Sequence, residues 1–176
     1  KRSIGTYLVD QNYIHRLLNV LRVSGSDQSD TDLHDLMFSI FKSIFLLNSA
    51  ELIKEMLQEP VVFDIAAVFE YEPVNDPECD NGNTQTTIRP KYREYLTNSA
   101  HFKQVVPVKS LHLLSLIHET FRAQYFKDVI LPRILDDDTF TTIVMLIRSN
   151  HMDIVTGMEA EGEIYEQLYA YFFVVY

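Results

Sequence analysis

Cysteine is almost missing from this chain. The one thiol, Cys79, can neither close an internal disulfide nor build a cysteine zinc site, and the sequence accordingly reads as intracellular. Turn formers are scarce as well: five glycines and six prolines are too few for a turn-rich sandwich or barrel. No apolar run reaches the roughly 18 residues a membrane-spanning helix needs, and no secretory leader opens the chain at Lys1. Positive charge is in short supply, with 15 Lys and Arg against 25 Asp and Glu and a net charge of −10. A basic face for nucleic acid is therefore not expected, whereas a basic protein partner or simple solubility is. What is present is a globular composition, 47% apolar and 12% aromatic in 176 residues, one domain's worth of chain.

The apolar pattern is helical. Leu33, Leu36, Met37, Ile40, Phe41, Ile44 and Phe45 follow the 3–4–3 spacing, with Asp30, Thr31 and Asp32 ahead as cap candidates. Asn48 then reads as the N-cap of a new helix, with Glu51 completing a capping box and Leu47 and Leu52 spaced as a hydrophobic staple. Pro60 suits a first helical position, followed by Val62, Ile65, Ala66 and Phe69 at helical spacing.

That paragraph is written twice. NSAELIKEM, from Asn48, and NHMDIVTGM, from Asn150, align without a gap. Around the second copy, Asp136 to Asp138 place acid at a helix start, Phe140, Ile143, Val144 and Ile147 form the stripe, Asn150 reads as a cap again with Asp153 in the place of Glu51, and Gly162 takes the place of Pro60. The pairing predicts an all-α right-handed solenoid of the armadillo or HEAT kind, about three repeats over residues 1–176, in which no repeat buries its apolar face alone.

Between the copies, Glu72 to Ile88 is rich in Pro and polar residues and predicts a mobile loop containing Cys79. Pro90 opens a helix through Tyr92 and Tyr95, and Ser99 caps a short turn carrying Phe102. Ser110 begins what reads as the longest helix, apolar nearly all round and hence central, ending near Ile130 before Pro132. The chain stops inside an apolar run, Tyr169 to Tyr176, which predicts a piece of a longer array whose exposed end self-associates.

Chemistry-bearing motifs are lacking. No phosphate-binding glycine loop, H-E-x-x-H or nucleophile elbow occurs. In HETFR, from His118, an arginine holds the position where a zinc helix needs its second histidine, so His118 reads as a core residue. Asp136 to Asp138 lack the alternating pattern of a calcium loop. No metal, no cofactor and no catalytic group is expected.

Several long phrases resemble one family, in order: SIFLLNSAELIKEML, AVFEYEP, YREYLTNSAHFKQVVPV, IHETFRAQYFKDVILP and RSNHMDIV. From about Leu33 to Val155 the chain resembles the central helical domain of the SMEK/falafel family, the regulatory-3 subunits of protein phosphatase 4. It departs from that family in a longer loop from Val74 to Ile88 and in RILDDDTF after Leu131. The resemblance implies armadillo-like repeats between an amino-terminal pleckstrin-like domain and an acidic tail. It also implies a non-catalytic scaffold that joins the phosphatase catalytic subunit to regulatory subunit 2 and directs them to phosphoprotein substrates. DNA-damage recovery, chromatin and signalling in nucleus and cytoplasm would be its settings, with neither nucleic acid nor membrane as a direct partner. Tyr92, Arg93, Phe102, Lys103 and Arg122, where aromatics interleave with cations, are the candidate partner contacts. The competing expectation is a helical-repeat adaptor for an unrelated basic protein.

Overall fold

A computed structural model describes residues 4–24, 31–72, 89–98, 104 and 107–174. Among these the regular structure is entirely helical. The chain divides into two compact units, Lys1–Thr97 and Asn98–Tyr176. The predicted loop lies, from residue 73 to 88, outside the described residues, as do Cys79 and Ser99.

The first unit holds α1 (Ile4–Asp10), α2 (Tyr13–Ser24), α3 (Thr31–Leu46), α4 (Ala50–Met56), α5 (Val61–Phe69) and α6 (Tyr92–Thr97). Its core is built on α5, where Val61, Val62, Asp64, Ile65, Ala66, Val68 and Phe69 are all buried. A helix apolar on so many sides must be enclosed. Phe69 meets Phe38 and Phe45 of α3 edge-to-face, at centroid distances of 5.4 and 5.8 Å, the arrangement favoured by the ring quadrupoles. Ile14 and Leu18 of α2 and Leu52, Ile53 and Met56 of α4 close the remaining sides. The buried face of α3 runs through His34, Met37, Phe38, Phe41, Ile44 and Phe45. Leu36, counted in the apolar stripe of the sequence, is instead exposed, because that stripe is wider than the face α5 covers.

Asparagines close helices here. Asn12 and Asn48 both take φ of 52°, the left-handed region that Asn tolerates better than other side-chain-bearing residues. Asn48 donates its amide to the Phe45 carbonyl (3.0 Å), so it ends α3. The capping box read at Asn48 and Glu51 is thereby corrected: the N-cap of α4 is Ser49, with no side-chain cap bond, and Glu51 accepts instead from the Thr6 hydroxyl of α1 (3.0 Å). Gly5 explains how closely α1 approaches, since a Cβ there would lie 2.3 Å from Ser49 Oγ.

The second unit holds α7 (Leu111–Tyr125), which runs on into a π-helical turn over Phe126–Ile130, then α8 (Asp137–Glu161) and α9 (Glu163–Val174). Ser110 and Asp136 stand at helix starts as the sequence predicts, and each is the N-cap, accepting from the amides of Leu113 (3.2 Å) and Thr139 (2.8 Å). Gly162 breaks α8 from α9 at φ 58°. Helices α7 and α8 pair antiparallel. The Glu161 carboxylate accepts from the Ser110 amide (2.8 Å), Leu113 lies where a Gly157 Cβ would sit 3.0 Å away, and the Asn150 amide group donates to Glu119 (3.2 Å).

Three expectations fail in this unit. At 25 residues, α8 exceeds α7, and it runs unbroken through Asn150. Asn150 is therefore a buried mid-helix residue, 3% exposed, and not a cap. It continues the buried row of Thr139, Ile143 and Ile147. The paired Asn-headed segments thus occupy unlike settings, one beginning after a helix stop and the other inside a helix. Nor is α7 apolar toward its surroundings: Leu111 is exposed, while Glu119, Thr120 and Arg122 are buried.

Candidate functional site

Asp64 is the one acid in the apolar stretch VVFDIAAVF, and α5 carries it into the first unit's interior. A buried carboxylate needs donors. One guanidinium donates and a second adds its charge, from different helices: Arg22 Nη2, at the end of α2, donates to Asp64 Oδ2, and Arg93 Nη2, in α6, lies 3.6 Å from Asp64 Oδ1. The acid side chain is 12% exposed, but those of Arg22 and Arg93 are 58% and 55% exposed. The cations thus grip the acid with part of their donor sets and turn the rest to solvent.

The Arg93 amide also donates to Glu70 Oε1 (2.8 Å), anchoring the start of α6 beside the end of α5. Burial pushes the Glu70 carboxyl above its ordinary value, opposed by that amide and by the Arg93 charge. Next in sequence, Tyr71 stacks on His34 with centroids 3.8 Å apart and planes 4° from parallel. Arg89 Cζ stands 4.4 Å from the Tyr71 ring centre, within cation–π range. Lys91 is held by Glu94 (2.8 Å), which raises its pKa through the side-chain hydrogen bond and the charge.

Of the sequence-derived contacts, Arg93 sits inside this cluster, and Tyr92, half-buried, adjoins it. Phe102 and Lys103 lie outside the described residues. Arg122 belongs to the second unit and is buried there, 6% exposed. Arg22, Asp64, Tyr71 and Arg89 were not singled out from the sequence. Asp64 was the available signal, since a lone acid in an apolar helix calls for cations.

Other surfaces are apolar. A shallow depression along α3 is lined by Ser39, Ile40, Ser43, Ile44 and Leu47. On α9, Tyr169 and Phe173 stack at 4.3 Å and are exposed together with Phe172. Among the described residues, no group of three or more His, Cys, Asp or Glu is placed to hold a metal ion, and no helix is long and apolar enough to cross a membrane.

Known proteins align with most of the chain. The family model described as Phosphatase 4 regulatory subunit 3 matches residues 1–173. The chain is 36% identical over 163 residues to the Serine/threonine-protein phosphatase 4 regulatory subunit 3 of Drosophila melanogaster, covering 90% of this chain and 15% of that protein. It is 38% identical over 134 residues to Suppressor of Mek1 of Dictyostelium discoideum, covering 76% of this chain and 12% of that protein. An uncharacterized protein of Schizosaccharomyces pombe is 33% identical over 169 residues, 96% of this chain and 19% of its own length. The chain therefore spans less than a fifth of the length of these curated relatives. No solved structure matches.

Proposed function

Because this chain belongs to the Phosphatase 4 regulatory subunit 3 family, we propose that it is a non-catalytic scaffold segment of a protein phosphatase 4 regulatory subunit. The observation that carries this reading is the family match over residues 1–173. In this role the segment helps assemble the catalytic subunit with regulatory subunit 2 and directs them to phosphoproteins in nucleus and cytoplasm, including those of DNA-damage recovery, chromatin and signalling. Metal and hydrolytic chemistry then belong to the catalytic partner.

The scaffold works by stacking. Antiparallel pairs such as α7 and α8, joined to further helices, are the material of an armadillo-like array, and an array offers a long surface on which a few aromatic or arginine anchors supply most of the affinity. Arg93 and the exposed aromatics of α9 are such anchors, and the α9 aromatics are also the surface through which two copies would self-associate. Capture from cell extract with the full-length protein tests the reading. The phosphatase catalytic subunit should be recovered, and Arg93→Gln, in a protein shown to be folded by circular dichroism, should weaken recovery. Recovery of other proteins without that subunit, falling steeply with salt, would instead assign the chain to a basic partner outside the phosphatase.

A further inference from the structure

Charge in the first unit's cluster does not balance. Arg22, Arg93 and Arg89 gather around Asp64, Glu70 and the Tyr71 ring: three guanidiniums against two carboxylates. Lys91 and Glu94 pair with each other and leave that excess untouched. The positive charge is fixed in place. Arg22 and Arg93 are each held at a different oxygen of one nearly buried acid, and Arg89 is held over an aromatic face, so their exposed donors are ordered before any ligand arrives. Pre-ordering lowers the entropy lost on binding, and guanidiniums present forked donors that match carboxylate and phosphate oxygens. Meanwhile the chain as a whole carries −10, which repels a long polyanion such as nucleic acid but opposes a short anionic segment far less.

We propose that Arg22, Arg89 and Arg93 form a docking site for an anionic peptide segment of a partner protein, its phosphate or carboxylate oxygens taken by the guanidiniums that Asp64 and Tyr71 hold in place. Asp64 is then both positioner and internal competitor. It orients two arginines and occupies part of their donor capacity, so a ligand must match its oxygens to what is left. The inference does not depend on the phosphatase reading, because it concerns binding by the isolated chain.

Fluorescence anisotropy with the 176-residue chain and a short labelled peptide tests it, the peptide made with phosphoserine, glutamate or serine at the same positions. The phosphoserine or the glutamate peptide should bind and the serine peptide should not; which anionic form binds more tightly identifies the oxygen source. A charge-assisted hydrogen bond contributes enough that losing one weakens Kd about tenfold or more. Arg89→Gln with Arg93→Gln should show that loss at unchanged circular dichroism. Failure of both anionic peptides to bind, equal binding of the serine peptide, or indifference to the arginine changes would each overturn the assignment. So would an oligothymidylate that binds as tightly through the same arginines.

Discussion

Replacing Asn150 by Asp changes one group in the side chain and almost nothing in its shape, yet it should undo much of the second unit's stability. In the structure the Asn150 amide donates to Glu119 Oε1 at 3.2 Å, with both residues buried. The substitution removes that donor, and a hydrogen bond to a charged group is worth about 1.5–3 kcal/mol. It also sets a second carboxylate against the first; like charges about 4 Å apart at an effective dielectric near 20 repel by about 4 kcal/mol. The pair avoids the full penalty by keeping a proton, so the net loss at neutral pH is about 3–5 kcal/mol. The sign with pH follows. A folded-state carboxyl held above its unfolded pKa binds a proton that the unfolded chain has released, so the deficit deepens as pH rises through the folded value and shrinks toward acid. Urea unfolding of parent and Asn150→Asp at several pH values between neutral and acid reads this directly. An N-cap accepts Asp as readily as Asn, so a variant as stable as the parent at neutral pH would refute the buried pairing and restore the cap.

Three further outcomes are expected. Gly5→Ala should cost about 1–3 kcal/mol by overpacking against Ser49, and adding Ser49→Gly should recover part of it; chemical denaturation of the three variants checks this. Ser110→Ala removes the acceptor for the Leu113 amide and should cost about 1 kcal/mol, seen as a lower Tm. Glu55 has its pKa raised above the ordinary 4.5 by burial, His15 opposing, and its Oε2 is buried without a hydrogen-bond partner. Its fold penalty is therefore absent below the unfolded pKa and appears as pH rises through the folded one, so Glu55→Gln should raise Tm at neutral pH and lose that advantage toward pH 4.

What could be read in the sequence was whatever is decided within a turn or two of chain. Ser110 and Asp136 each meet an amide three residues on, and Gly162 supplies a conformation it alone takes without strain, so spacing and residue type sufficed. Asn48 misled because Asn has two local uses, capping a start or closing an end, and the left-handed geometry that decides between them does not show in the letters. Asn150 misled for another reason: its partner, Glu119, is 31 residues away, and only helix pairing brings them together. The family resemblance is untouched by the unlike settings of Asn48 and Asn150 because it rests on whole phrases along the chain and not on two matched segments. In the candidate site, Arg93 is a candidate contact by its aromatic surroundings in the sequence, whereas the assembly of Arg22, Asp64 and Arg89 around it required α2, α5 and α6 to be placed.

Consider finally the rungs between α7 and α8: Ser110 with Glu161, Leu113 with Gly157, Glu119 with Asn150. Leucine against leucine would tolerate slippage, but here each rung pairs unlike groups, so the two rods mesh like a key and its wards. One residue inserted between Asn150 and Gly157 would swing everything beyond it by about 100° and set Glu161 away from the amide it serves. The spacing of these anchors is thus as much a part of the design as their identity, and length variation among related chains should collect outside this ladder.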